Sequence, residues 1–201
     1  MSSLAAYSTA NPGVTGVILA GGEGRRMGGQ DKGWVDFDGQ PLIQHVINRL
    51  EPQTQTLLIN ANRNLSAYAA LGFKVIEDLQ TGFHGPLMGM LTGLNAASDD
   101  WVMFVPCDGP FLPTDLVDRL LAAALAAQTR IAVAAEAGRL QPVVVLLHRS
   151  LAADLQQAMA QGERKPDRWY AQMGMTQVEC DAQSLRNFNR PEELMSNSAN
   201  G

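Results

Sequence analysis

Cysteine, histidine and charged residues are all scarce in this sequence of 201 residues, which holds 2 cysteines, 3 histidines and 17% charged residues. Cys107 and Cys180 lie far apart and do not form a metal-ligand pattern. Without a secretion signal, we expect both to be reduced thiols in a cytoplasmic protein. The histidines, His45, His84 and His148, are scattered and indicate no histidine-based catalysis.

An excess of positive charge and long hydrophobic runs are also missing. The formal net charge of −5 argues against a general nucleic-acid binder, which normally has a basic face. No apolar run approaches the roughly 18 residues that a membrane helix needs. We therefore expect neither a nucleic acid nor a membrane as a partner.

Hydrophobic residues make up 46% of the chain, which is typical of a folded globular protein, and the length fits one domain. Residues 1–13 have neither the charged segment nor the apolar core of a signal peptide, and we expect a disordered tail there. The predicted domain spans 14–195, and 196–201 is expected to fray.

A glycine-rich basic stretch follows the first apolar run. Val14 to Ala20 is rich in β-branched residues and predicts a buried strand. Arg25, Arg26 and Lys32 come shortly after it. Glycine lets backbone N–H groups approach a ligand closely, and arginine and lysine add contacts suited to phosphate oxygens. The stretch predicts a polyphosphate site; its glycines are Gly21, Gly22, Gly24, Gly28 and Gly29.

Two common phosphate-binding motifs do not fit this stretch. A P-loop requires Gly-Lys-Ser/Thr at its end, but Lys32 follows Asp31 and precedes Gly33. The dinucleotide fingerprint Gly-x-Gly-x-x-Gly could begin at Gly22, but its third glycine would fall on Met27. The pattern therefore disfavours a dinucleotide-dependent oxidoreductase.

Strand and helix patterns alternate along the first two thirds of the chain. The continuously apolar strands predict an α/β fold, a single doubly wound domain with a mostly parallel sheet. The segment between the strands at 130–134 and 143–147 is too short for a helical crossover, which predicts a short antiparallel portion in the C-terminal third. The other predicted strands span 14–20, 34–37, 56–59, 73–76, 101–105 and 177–180, and the predicted helices span 41–50, 65–71, 87–97, 116–128, 151–160 and 167–173.

Polar residues follow the predicted strands at the edge where such folds bind ligands. Asp108 follows five apolar residues in a turn flanked by prolines, and its carboxylate suits Mg²⁺. Asp78 would be a second acidic ligand or a contact to the ribose or base, and Asn60 could contact base edges through its amide. The alternative for all three is a turn or strand-end role, since aspartate and asparagine are frequent there.

Several motifs resemble those of the molybdenum cofactor guanylyltransferase family of nucleotidyltransferases. Leu19-Ala20-Gly21-Gly22, then Arg25-Arg26-Met27-Gly28-Gly29 and Asp31-Lys32, resemble the family signature. The similarity continues at 75–78, 85–90, 106–110, 141–142, 162–164 and 187–192, so that it covers 14–194. Gln141 and the segment around Pro166 depart from the usual family pattern. These departures leave open the details of the pocket that family members form for their pterin substrate.

The resemblance implies transfer of GMP from GTP to the terminal phosphate of molybdopterin, with release of pyrophosphate. Asp108 would hold Mg²⁺, while Arg25, Arg26 and Lys32 would balance charge on the leaving pyrophosphate. Asn187 and Asn189 would close the site near the pterin. The implied GTP-binding residues are Leu19, Ala20, Gly21, Gly22, Lys32, Asn60, Asp78 and Asp108.

Other functions remain open from the sequence alone. Gly21 lacks a Cβ and would leave room for a purine, but a cytidylyltransferase acting on molybdopterin or a sugar-phosphate nucleotidyltransferase would use a similar loop. A non-catalytic GTP-binding regulator is a further alternative. On chemical grounds we also expect transient contact with proteins of cofactor synthesis or molybdoenzyme maturation.

Overall fold

The computed structural model describes residues 12–22, 30–80, 82, 85–181 and 183–187. Arg25, Arg26 and Asn189 lie outside the described residues. The strands are β1 (Val14–Leu19), β2 (Asp36–Phe37), β3 (Gln40–Pro41), β4 (Thr56–Asn60), β5 (Lys74–Ile76), β6 (Trp101–Pro106), β7 (Ile131–Glu136), β8 (Arg139–His148) and β9 (Thr176–Glu179). The helices are α1 (Leu42–Leu50), α2 (Leu65–Ala69), α3 (Pro86–Ala96), α4 (Leu116–Ala126), α5 (Ala152–Ala160) and α6 (Pro166–Met173).

Seven strands form the central sheet in the order β5-β4-β1-β6-β8-β7-β9. All neighbouring strands are parallel except at β8, which runs antiparallel to both β6 and β7. The predicted mostly parallel sheet with an antiparallel portion near the C-terminus is confirmed. The chain leaves β1 towards β4 on one side and returns to β6 on the other side. In doubly wound folds this reversal opens a ligand-binding crevice at the carboxyl ends of the strands.

The buried side chains of each central strand alternate between two hydrophobic cores. On β6, Trp101, Met103 and Val105 pack with α1 and α4, whereas Val102 and Phe104 pack with α3. Both faces of the sheet are therefore covered by helices, which is why the strand sequences are continuously apolar. Helices α1, α2 and α4 lie on the first face, and α3, α5 and α6 lie on the second.

Strand β8 is longer than predicted. It begins at Arg139, directly after a tight hairpin turn in which Ala137 and Gly138 have positive φ angles of 49° and 75°. The expectation that β8 begins near 143 was wrong. Pro142, which cannot donate to a strand ladder, is accommodated where the pairing register with β7 shifts.

The short strand or β-bridge predicted at 34–37 is confirmed for Asp36–Phe37 and wrong for Trp34 and Val35. Residues Lys32–Trp34 form a 3₁₀ turn, and the strand portion is a small antiparallel hairpin made by β2 and β3. Asp38 and Gly39 make its turn with positive φ angles of 51° and 77°. The 3₁₀ turn presents Lys32 to the crevice at the end of β1 and β6.

No helix in the part of the chain that the structure describes is long and apolar enough to cross a membrane. The longest of these helices, α3 and α4, have 11 residues each.

Candidate functional site

A cation and a carboxylate meet at the crevice between β1 and β6. Lys32 Nζ donates to Asp108 Oδ2 at 2.9 Å, although the two residues are 76 positions apart in sequence. The backbone N–H of Cys107 donates to Leu19 O at 3.2 Å and joins the carboxyl ends of the two strands. The structure therefore brings together two residues that the sequence predicted for one site.

Asp31 anchors the turn that carries Lys32. Its buried carboxylate accepts from Tyr68 Oη at 2.6 Å, from Asn64 Nδ2 at 2.9 Å and from the backbone N–H of Gly33 at 3.3 Å. Three donors to one side chain hold the turn in shape and against the start of α2. Asp31 was not among the predicted site residues; its position as the N-cap of a short helical turn is a local signal that could have indicated this role.

Tyr68 and Gly33 fit each other closely. A Cβ built on Gly33 would lie 2.6 Å from Tyr68 Oη, so a larger residue would displace the hydroxyl. Burial raises the pKa of Tyr68 far above its ordinary value, which keeps the hydroxyl protonated and able to donate to Asp31.

We expect Tyr68→Phe to lower the free energy of unfolding by about 1.5–3 kcal/mol, because the hydrogen bond that is lost goes to a charged acceptor. Tyr170→Phe is the matched control: this tyrosine is equally buried, but its hydroxyl donates to a neutral carbonyl, Pro142 O, at 2.7 Å. Its expected loss is about 1 kcal/mol. Urea denaturation measures both, and a smaller loss for Tyr68→Phe than for the control would contradict the role given to Asp31.

Asp78 is held by two asparagine amides, and we call Asn60, Asn62 and Asp78 the Asp78 clamp. Asn60 Nδ2 donates to Asp78 Oδ1 at 2.9 Å, and Asn62 Nδ2 donates to Asp78 Oδ2 at 2.8 Å. The backbone N–H of Asp78 donates back to Asn62 Oδ1 at 2.9 Å. The clamp joins the ends of β4 and β5, as expected for Asn60 and Asp78.

Two glycines lie directly against the clamp. A Cβ on Gly21 would lie 2.9 Å from Asn62 Nδ2 and 3.5 Å from Asn60 Oδ1. A Cβ on Gly89, in the first turns of α3, would lie 2.5 Å from Asn60 Oδ1 and 2.9 Å from Leu19 Cδ2. Both positions therefore require a close approach that only glycine permits without displacing the amides.

The remaining predicted residues take different places. Asn187 lies at the Asp108 end, because a Cβ on Gly109 would be 3.0 Å from Asn187 Oδ1. Ala20 is buried, and its N–H donates to Asn60 O at 2.8 Å. A Cβ on Gly22 would meet no atom within 4 Å among the described residues.

The sequence analysis missed Asn62 and Thr92. Asn62 lies two residues beyond Asn60, and this repeated asparagine at a strand end was a usable signal. Thr92 is buried in α3, and its Oγ1 accepts from the backbone N–H of Leu79 at 3.1 Å. No local pattern marks Thr92, because its partner is 13 positions away.

A protein family and solved structures match this chain. The model of the MobA-like NTP transferase domain matches residues 16–178. A molybdenum cofactor guanylyltransferase of Shewanella halifaxensis is 47% identical over 182 residues, which cover 90% of this chain and 91% of that protein. Its Shewanella baltica counterpart is 49% identical over 183 residues, covering 90% and 93%.

The solved structures show the same fold at low identity. Molybdopterin-guanine dinucleotide biosynthesis protein A from Archaeoglobus fulgidus has a TM-score of 0.74 at 22% identity, covering 90% of this chain and 95% of that one. The 4-diphosphocytidyl-2C-methyl-D-erythritol synthase of Anaerococcus prevotii has a TM-score of 0.76 at 9% identity, covering 94% and 96%. With its fold, its matched domain and relatives nearly half identical over most of their length, this chain belongs to the molybdenum cofactor guanylyltransferase family of nucleotidyltransferases.

Proposed function

We propose that this protein transfers GMP from GTP to the terminal phosphate of molybdopterin, giving molybdopterin guanine dinucleotide and pyrophosphate. The observation that carries the proposal is the arrangement of charge along one crevice. The Lys32–Asp108 pair lies at one end, and the amide-held carboxylate of Asp78 lies at the other.

The nucleotide would lie across the strand ends with its phosphates near Lys32 and its base near Asp78. Asp78 follows β5 and Asp108 follows β6, with β4 and β1 between them. Three strand spacings amount to about 14 Å, comparable to the length of an extended nucleoside triphosphate. A carboxylate repels phosphate but accepts hydrogen bonds from a base, whereas the lysine and the backbone at Gly22 suit phosphate oxygens.

Asp108 is proposed to hold Mg²⁺. Among the described residues no group of three or more histidine, cysteine, aspartate or glutamate side chains could enclose a metal ion. Mg²⁺ nevertheless needs only one or two carboxylates when substrate phosphates complete its coordination, so a single aspartate beside a phosphate site fits. Bound there, the ion would polarise the α-phosphate.

The protein's own residues would then position two anions in line and neutralise charge. The attacking phosphate of molybdopterin is ionised at neutral pH, so the reaction needs no general base. The two described histidines support this, since His45 donates to Phe37 O at 2.8 Å and the His148 ring packs on Trp101. Lys32, with Arg25 and Arg26, would stabilise the leaving pyrophosphate, and Asn187, with Asn189, would contact the pterin side.

The proposed reaction takes place in the cytoplasm. Both cysteines are free and buried, in keeping with a reducing cytoplasm. The transferase domain would span 14–195, and transient contact with cofactor-synthesis or maturation proteins would deliver and remove the pterin.

Gly21→Ala tests the base end of the proposed site. The added methyl group would press on Asn62 and move its amide away from Asp78, so we expect GTP binding to weaken by about tenfold and CTP binding to change less. Isothermal titration with Mg²⁺ and each nucleotide measures both affinities. Equal losses for GTP and CTP would contradict the proposal that this end of the crevice receives guanine.

Pyrophosphate release tests the reaction itself. The assay supplies Mg²⁺, molybdopterin and GTP, CTP, ATP or UTP in turn, and we expect release with GTP alone. Release with CTP instead would indicate a cytidylyltransferase. GTP binding without release from any nucleotide would indicate a non-catalytic regulator.

A further inference from the structure

Asn62 contacts Asp78 in a way that fixes the direction of its carboxylate. The Asn62 side chain uses both ends of its amide: Nδ2 donates to Asp78 Oδ2, and Oδ1 accepts from the Asp78 backbone N–H. Because a carboxylate needs a donor and an N–H needs an acceptor, only one orientation of the amide satisfies both. Asn62 therefore locks the side chain of Asp78 to its own backbone.

Two further hydrogen bonds hold the same segment. Buried Asn60 donates to Asp78 Oδ1, and buried Thr92 accepts from the next backbone N–H, that of Leu79. Each carboxylate oxygen of Asp78 thus receives one amide donor and keeps further acceptor capacity. Asp78 remains partly exposed, so this capacity is available to a ligand in the crevice.

We propose that Asn62 is a positioning residue for nucleotide specificity: it holds the Asp78 carboxylate so that its two oxygens accept the adjacent N1–H and N2–H donors of guanine. The inference rests on the proposed function, which brings GTP to this crevice. Cytosine and uracil do not present two adjacent N–H donors in this arrangement, and adenine lacks them as well. Among the described residues Leu79 is the only exposed large hydrophobic side chain, at 57%, and it would offer the base an apolar surface beside Asp78.

Inosine triphosphate is the probe that isolates one of these donors, because it differs from GTP only in lacking the N2 amino group. Without molybdopterin neither nucleotide has an acceptor for transfer, so equilibrium binding in the presence of Mg²⁺ can be measured by isothermal titration. We expect the wild-type protein to bind GTP about tenfold or more tightly than inosine triphosphate, as for one hydrogen bond to a charged acceptor.

Asn62→Ala is expected to reduce this preference at least about threefold, because GTP loses the fit of two donors to Asp78 whereas inosine triphosphate, which keeps only the N1–H donor, is weakened less. Asp78→Ala is expected to remove the preference. Asn48→Ala is the matched control: Asn48 is also an exposed asparagine, but it lies on α1 and accepts from Gln44 Nε2 at 3.0 Å. The Asn48→Ala variant should prefer GTP over inosine triphosphate by the same factor as the wild type. Thermal unfolding of all variants shows whether a loss of preference is caused by a loss of fold.

An unchanged preference in folded Asn62→Ala would overturn the inference, as would equal wild-type affinities for GTP and inosine triphosphate. A parallel loss of affinity for both nucleotides would also overturn it and would give Asn62 a purely structural role. Failure of the wild-type protein to release pyrophosphate from GTP with molybdopterin would instead overturn the proposed function. The binding and turnover assays therefore separate the two failures.

Discussion

Replacing Asp108 with asparagine is expected to lower kcat for pyrophosphate release from GTP by about a hundredfold or more. The substitution keeps the size of the side chain but removes the charge proposed to hold Mg²⁺. It also removes the negative charge that lies 2.9 Å from Lys32 Nζ. Steady-state kinetics at saturating GTP and molybdopterin measure the effect.

The fold should tolerate this change. Asp108 lies in the turn after β6. Its carboxylate is buried, but a quarter of the Lys32 side chain is exposed and its amine can reach water, so we expect a loss of about 1–2 kcal/mol in unfolding free energy. For a chain of this size that corresponds to a fall in Tm of about 2–8 °C. A large fall in Tm with near-normal kcat in the folded fraction would assign Asp108 a structural role and contradict its place in the reaction.

Gly89→Ala is expected to lower both stability and GTP affinity. The new methyl group would collide with Asn60 Oδ1, 2.5 Å away, and with Leu19 Cδ2, 2.9 Å away. Asn60 is buried and bonded to Asp78, so it cannot yield without disturbing the Asp78 clamp. We expect a loss of about 1–3 kcal/mol in unfolding free energy, with the better helix propensity of alanine offsetting part of the strain. GTP affinity should fall about tenfold.

Gly93→Ala is the matched control on the same helix, one turn further along. Its methyl group would lie 2.5 Å from Phe104 Cε1 and 3.1 Å from Val17 Cγ2, which are core side chains away from the clamp. We expect a similar loss of stability with GTP affinity preserved in the folded protein. Equal losses of affinity in both variants would show that general loosening of α3, not displacement of Asn60, weakens nucleotide binding.

The fold was largely predictable because the central strands are apolar on both sides. Trp101 to Val105 form a continuous apolar run, and the structure buries this run between two layers of helices. The antiparallel pairing of β7 with β8 was predicted, but the tight turn at Ala137 and Gly138 was not, because alanine rarely adopts a positive φ angle. The β8 boundary depends on pairing with β7, which no local pattern reveals.

The positions of candidate site residues were predictable where these residues come at or just after the end of a strand. Asp108, Asp78 and Asn60 stand at strand ends, and parallel topology alone brings such positions to one edge. Asp31 and Tyr68 were missed because their hydrogen bond joins positions 37 apart, and a tyrosine in a short helix looks like ordinary core. The sequence therefore indicated polar residues at strand ends better than the residues that support them.

The most direct measurement follows the phosphorus atoms of GTP through the reaction. Purified protein with Mg²⁺ and molybdopterin is supplied with GTP labelled at the α-phosphate or at the γ-phosphate, and the products are separated by chromatography. We predict that the α-label appears in a pterin dinucleotide and the γ-label in pyrophosphate. Recovery of the α-label as free GMP or GDP, or in unreacted GTP alone, would contradict GMP transfer to molybdopterin.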